Sequence, residues 1–186
     1  GEGGKTLAHQ PDLLHAPLYP LVLGSAFKLF DTEFPVARAA RYPVEQWVII
    51  PLNLLFCLLS GLFMYLTGRK LFSPRVSFTA VTIYFLSASL WGNAVGGTEL
   101  SLAVFFASVA GWALVRILTE EMEDNAKGTS LWISVIIGAV ALCALFLTRY
   151  AGIILLPGYL LALGMGLGKR SILPFLVTLG IIALGS

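Results

Sequence analysis

Long uncharged stretches alternate with short charged ones along this chain. Charged residues bound runs at 46–68, 76–98, 100–115, 128–148, 150–168 and 171–186. A hydrocarbon core about 30 Å thick takes roughly 20 residues of helix to cross. The pattern predicts five complete membrane spans and the beginning of a sixth, because the last run stops after about 15 apolar positions, short of a span. Polar atoms within the runs belong mostly to Ser, Thr, Asn and Tyr, which bond to a neighbouring helix or back to their own backbone. The expected fold is all-α and integral to the membrane, a polytopic helix bundle over residues 46–186 that is incomplete at its C-terminus.

Residues 1–45 differ in kind. Gly, Pro and polar residues dominate as far as His15, and residues 18–30 are then apolar apart from Ser25 and Lys28. That stretch is too short to span, so it predicts an interfacial helix within an extracytoplasmic loop. Pro35 and Pro43 break the chain before the first span, and Trp47 sits where an interfacial aromatic belongs.

Composition sharpens this picture by exclusion. Of 186 residues 58% are apolar and only 12% charged, about half the charge of an ordinary soluble domain. Disorder, a coiled coil and a soluble globule are excluded on that ground. A net charge of +2 gives no reason to expect a nucleic-acid partner. Cys57 and Cys143 both lie in apolar runs, where a thiol behaves as a small hydrophobe.

Basic residues near the span ends give an orientation. Arg69, Lys70 and Arg75 follow the first span, Arg116 and Lys127 border the third connection, and Lys169 and Arg170 follow the fifth span. All fall on one side by parity, assigned to the cytoplasm. The opposite side receives the N-terminal segment, the turn at 93–99 and the short Arg149-Tyr150 turn. The chain starts Gly-Glu-Gly-Gly and has no signal-peptide pattern, so it is read as part of a longer polytopic protein.

Four strings carry a resemblance. His15-Ala16-Pro17-Leu18-Tyr19-Pro20-Leu21 with Phe27-Lys28-Leu29-Phe30 is similar to the His/Lys-Pro-Pro-Leu-Tyr segment and trailing Lys-Leu-Phe-Gly of the lipid-linked-sugar glycosyltransferases of the GT-C superfamily. That superfamily includes protein O-mannosyltransferases and the aminoarabinose transferase of lipid A. Ala37-Arg38-Ala39-Ala40-Arg41-Tyr42-Pro43 and Tyr65-Leu66-Thr67-Gly68-Arg69-Lys70-Leu71-Phe72 resemble the residues leading into and out of that family's next helix. Leu147-Thr148-Arg149-Tyr150-Ala151-Gly152 with Leu155-Leu156-Pro157 resembles its Leu-Thr-Lys-Tyr-Thr-Gly and downstream Leu-Leu-Pro. Two departures stand out: Ala16 replaces the first proline of the pair, and the family's first helix with its acidic motif, which activates the acceptor, has no counterpart here.

The resemblance implies transfer of sugar from a polyprenyl-phosphate donor to an acceptor on the non-cytoplasmic face of a membrane, the bacterial cytoplasmic (inner) membrane being the expected one. Such a reaction needs a base for the acceptor proton and cationic donors for the departing phosphate. With the acidic motif missing, no catalytic residue is expected in this segment, and alone it is expected to be inactive. Substrate-binding candidates are His15 and Arg149 for the phosphate, Glu99 beside the cavity, and Tyr19 and Tyr150 shaping the site. Each has a structural alternative. His15 suits a solvated loop, Arg149 suits snorkelling to headgroups, and Glu99 suits the first turn of a helix with Thr98 as N-cap. Arg38 and Arg41 add to the positive field. Glu120, Glu121, Glu123 and Asp124 read as a solvated acidic loop. His9 and His15 make no zinc set, and Gly164, Gly166 and Gly168 read as close helix packing.

No metal site is expected, and no cofactor beyond at most a divalent cation. The expected partners are the polyprenyl-phosphate sugar donor, membrane lipids and other membrane subunits, with no nucleic acid. The alternative function is a non-catalytic membrane subunit packing its helices within a larger complex. A transporter is less favoured, since no run pairs ionisable residues at mid-depth.

Overall fold

The computed structural model describes residues 16–30, 45–122, 128–167 and 172–185, and every regular element among them is helical. In chain order these are α1 (Leu18–Leu29), a π-helical turn (Glu45–Ile49) leading into α2 (Ile50–Leu71), α3 (Pro74–Phe85), α4 (Ala88–Val95), α5 (Leu100–Met122), α6 (Gly128–Thr148), a 3-10 turn (Tyr150–Ile154), α7 (Leu155–Leu167) and α8 (Ile172–Gly185).

Helices α2, α5 and α6 form the spine, with α5 packed most extensively on both α6 and α2. Along the α2–α5 seam four aromatic rings alternate between the helices. Phe56 meets Phe105 at 5.7 Å, Phe105 meets Phe63 at 6.0 Å, and Phe63 meets Trp112 edge-on at 5.5 Å. The partners advance together along both chains, so α2 and α5 run parallel. Such tilted and edge-on pairs add about 0.5–1.5 kcal/mol each beyond area burial. The α5–α6 interface is built from Val109, Ala110, Ile117, Val135, Ala141 and Leu142, with Tyr159 and Leu163 of α7 closing it.

Local chemistry explains where the helices stop. Pro74 opens α3 directly after an extended Ser73, the position where its missing N–H costs nothing. Helices α2 and α3 then approach closely, since a Cβ on Gly68 would lie 2.9 Å from Ser77 Oγ and one on Gly61 would lie 2.5 Å from Phe85 Cζ. Helix α3 ends without a proline: Ser87 is extended, and α4 leaves at 53° to α3. The Trp91 indole N–H donates to the Phe85 carbonyl at 2.6 Å, supplying a partner to a backbone group near the break.

Among the described residues three helical stretches are long and apolar enough to cross a membrane, Trp47–Leu71, Leu100–Thr119 and Leu131–Thr148, and a fourth if the bent pair Pro74–Phe85 and Ala88–Val95 is one span. The all-helical architecture is compatible with a helical membrane protein, and among the described residues three helices, or four with the bent pair, reach full span length where five spans were expected. The run at 76–98 is broken by the α3–α4 bend. The run at 150–168 begins as a 3-10 turn and leaves an apolar helix only from Tyr150 to Met165, below span length. Composition registers that both runs are uncharged, but not that their backbone changes direction. The apolar helix expected at 18–30 is present as α1, docked against α6 and the turn before α2.

Close helix packing does occur at glycine, though at other positions than Gly164, which has no atom within 4 Å of its Cβ site. At Gly138 a Cβ would collide with the Tyr159 hydroxyl, and at Gly152 one would lie 2.8 Å from Leu145 Cγ. Arg38, Arg41, Glu123, Asp124, Lys127, Lys169, Arg170 and both histidines lie outside the described residues, whereas Glu120 and Glu121, expected in a solvated loop, belong to α5, which runs on to Met122.

Candidate functional site

Helix direction decides which residues meet. Helices α2 and α5 start, and α4 and α6 finish, at one end of the bundle, and α1 docks at that end. Arg69 lies 16 residues beyond Asn53, which at 1.5 Å per residue is about 24 Å down the helix axis. The basic α2–α3 turn is therefore at the far end.

At the near end a cleft of about 400 Å³ opens, lined by Ala16, Tyr19, Pro20, Glu99, Thr148, Arg149, Tyr150 and Ala151. It brings together four of the five candidates read from the sequence: Tyr19, Glu99, Arg149 and Tyr150. The fifth, His15, lies outside the described residues. Glu99 is partly buried, and Arg149 and Tyr150 are exposed.

Each charge sits where a helix end favours it. Glu99 immediately precedes α5, its carbonyl accepting the Ala103 N–H at 3.0 Å, so the carboxylate lies by the positive end of that helix. Arg149 immediately follows α6 in extended conformation, so the guanidinium lies by a negative end. Each placement contributes about 0.3–1 kcal/mol. Thr98 does not cap α5 as expected. Its hydroxyl donates back to Asn93, to the carbonyl at 3.3 Å or to Oδ1 at 3.4 Å, so it closes the α4–α5 turn.

Arg149 is held by the backbone around it. Its N–H reaches the Leu145 carbonyl at 2.9 Å, and its own carbonyl accepts the Gly152 N–H at 2.8 Å. Tyr150 packs its ring on Phe146 at 5.5 Å. Thr148 is buried and turns its hydroxyl to the Ala144 carbonyl at 2.7 Å, so it presents little polarity to the cleft.

Tyr19 does a different job from the others. Only 8% exposed, it donates its hydroxyl to the Gly97 carbonyl at 2.8 Å and receives the Asn53 amide at 3.2 Å. The Asn53 amide also lies 3.3 Å from the Ala94 carbonyl. One phenol thus joins α1, α2 and the α4–α5 turn. Gly97 is the one described glycine at positive φ (+68°), and the turn it makes delivers Glu99 to the rim two residues later. Burial pushes the Tyr19 hydroxyl above its ordinary value of 10, with the Glu99 charge adding to the rise and the Asn53 hydrogen bond opposing it. The group stays a neutral donor through the physiological range.

Asn53 is the participant that sequence reading missed. It is fully buried, and an amide near the start of an otherwise apolar run is the available signal, since such groups are placed where a partner satisfies them. Among the described residues no group of three His, Cys, Asp or Glu converges as a metal site. Comparisons with protein-family models, curated proteins and solved structures return no match.

Proposed function

We propose that this chain belongs to a multi-pass membrane glycosyltransferase, and that the cleft between α1, the α4–α5 turn and the α6–α7 turn binds the phosphate end of a polyprenyl-phosphate sugar donor. The observation that carries the reading is the convergence of Tyr19, Glu99, Arg149 and Tyr150 on one open cavity from segments spread along most of the chain.

The chemistry of the cleft suits that ligand. An exposed guanidinium offers paired N–H donors to phosphate oxygens. Glu99 accepts hydrogen bonds from sugar or acceptor hydroxyls and repels a second anion, which orients the donor with phosphate toward Arg149. Tyr150 supplies an apolar ring face beside it. The cleft lies at the end of the bundle remote from Arg69, Lys70 and Arg75, and the bias of basic residues toward the cytoplasm supports a site on the non-cytoplasmic face. None of these residues is assigned the acceptor's base.

Binding of a short-chain polyprenyl phosphate to the purified chain in detergent tests this reading, with the corresponding polyprenol as the uncharged comparison. Charge-assisted bonds to an anion contribute about 1.5–3 kcal/mol, so Arg149→Ala weakens phosphate binding roughly tenfold or more. Arg149→Lys recovers part of the loss. Glu99→Gln binds the phosphate as well as wild type or better, because a like charge is removed. Equal affinity of wild type and Arg149→Ala, or no preference for phosphate over alcohol, overturns the proposal.

A further inference from the structure

Glu99 and Arg149 line the same cavity, yet among the described residues no ion pair joins them. Opposite charges at the edge of a protein attract several times more strongly than in bulk water, and a glutamate side chain is long and flexible. Their separation therefore needs a restraint, and the backbone that carries Glu99 supplies one.

The α4–α5 turn is fixed from several directions. The Asn53 amide nitrogen lies 3.2 Å from the Tyr19 hydroxyl and 3.3 Å from the Ala94 carbonyl. The Tyr19 hydroxyl in turn donates to the Gly97 carbonyl at 2.8 Å, and the Thr98 hydroxyl closes the turn on Asn93. Asn53 is fully buried and Tyr19 nearly so, so water does not compete for these bonds. Beyond the turn, the Glu99 carbonyl accepts the Ala103 N–H at 3.0 Å, which fixes the residue at the head of α5, where the helix end favours its charge. The Glu99 charge is felt at the Tyr19 hydroxyl, so the carboxylate stays near the tethered phenol. Arg149 stands on the other wall, at the α6–α7 turn.

An arginine already paired with a carboxylate is a poor anion site, because an incoming phosphate must first displace its partner. We infer that Asn53 is a positioning residue for the cleft: through the Tyr19 hydroxyl and the carbonyls of Ala94 and Gly97 it holds Glu99 off Arg149, and so keeps the guanidinium open to an anion. Asn53 does not itself line the cavity. The inference rests on the reading of the cleft as a phosphate site. Removing the amide takes one anchor from Tyr19 and another from Ala94, the turn gains freedom, and Glu99 closes on Arg149. An exposed ion pair of that kind competes with phosphate for the guanidinium by about twofold to fivefold.

Arginine footprinting of the purified protein in detergent reads the open guanidinium with no ligand present. Phenylglyoxal modifies an unpaired arginine faster than a paired one, and mass spectrometry of the resulting peptides separates Arg149 from Arg75, which is exposed at the far end and serves as the internal reference. Asn53→Ala slows modification of Arg149 relative to Arg75 by about twofold to fivefold. Adding Glu99→Gln restores the wild-type rate, since a neutral amide forms no ion pair. Binding of a short-chain polyprenyl phosphate follows the same order, weaker in Asn53→Ala and recovered in the double variant. A loss of packing alone is not repaired by changing Glu99. Tyr19→Phe cuts the same link by one atom and gives the same pattern, with the same rescue, even if Asn53→Ala fails to fold. Modification of Arg149 at the wild-type rate in the clamp variants, or a slowing that Glu99→Gln leaves unchanged, overturns the inference. Rescue in the footprint with no phosphate binding by wild type upholds the clamp and refutes only the phosphate reading of the cleft.

Discussion

Replacing Tyr19 by Phe removes one oxygen atom from the junction of α1, α2 and the α4–α5 turn. The strongest bond lost is the 2.8 Å donation to the Gly97 carbonyl. The 3.2 Å contact from Asn53 goes with it, and the Asn53 amide is left with only the 3.3 Å contact to Ala94, long for an N–H···O bond. Orphaning a buried polar partner costs about 1–3 kcal/mol, whereas hydrogen bonds within membrane bundles average about 0.6 and reach about 1.7 kcal/mol. The two ranges overlap at about 1–1.7 kcal/mol, which for a protein of this size lowers Tm by roughly 2–7 °C. Tryptophan fluorescence during heating in detergent measures it. The decisive comparison is a cycle of Tyr19→Phe, Asn53→Ala and the double variant. Because the two residues share a bond, the double variant is less destabilised than the sum by about 0.5 kcal/mol or more. A Tm unchanged in Tyr19→Phe, or additivity within about 0.3 kcal/mol, refutes the tether. Since Tyr19 remains neutral well above pH 7, the effect keeps its size between pH 6 and pH 9.

Gly97→Ala forces an L side chain to φ +68° and sets its Cβ 3.0 Å from Ile49 Cγ2, for a loss of about 1–2 kcal/mol. Gly24→Ala in α1, with open space around its Cβ site, gains up to about 1 kcal/mol, and the two melting curves move in opposite directions. Gly138→Ala collides with the Tyr159 hydroxyl and costs about 1–3 kcal/mol. Among the described residues that hydroxyl is buried without a partner, so Tyr159→Phe alone is not destabilising and recovers part of the Gly138→Ala loss in thermal unfolding. Single cysteines at Ser73 and Asn93, in a background with Cys57 and Cys143 replaced by Ala, react with an impermeant thiol reagent from opposite faces of the membrane. Reaction from the same face removes the topology on which the non-cytoplasmic placement of the cleft rests.

The charges were the legible part of this molecule. A membrane-sized apolar run expels ionisable groups to its ends, so Glu99 and Arg149 announce themselves in one dimension, and span parity alone puts them at the same end. Tyr19 came from the resemblance of its Pro-Leu-Tyr-Pro string, and its apolar helix from the run that follows. What stayed hidden depends on contacts that no run encodes. Tyr19 finds Asn53 and Gly97 across 34 and 78 residues, and an isolated Asn reads the same whether its partner is across a helix interface or on its own backbone. The α3–α4 bend and the 3-10 turn after Arg149 were equally invisible. No proline marks either break, so composition scored as continuous two runs whose geometry is not.

The parallel pairing of α2 with α5 has a consequence for the order in which the protein is made. Helix α2 leaves the ribosome well before its principal partner, and 49 residues separate Phe56 from Phe105 and Phe63 from Trp112. At synthesis rates of about 5–20 residues per second, that interval lasts roughly 2–10 s. Through those seconds the ring faces of Phe56 and Phe63 have no α5 to meet, whereas the Asn53 amide finds its partners in Tyr19, made earlier, and in Ala94 of α4. Only the arrival of α5 covers those rings.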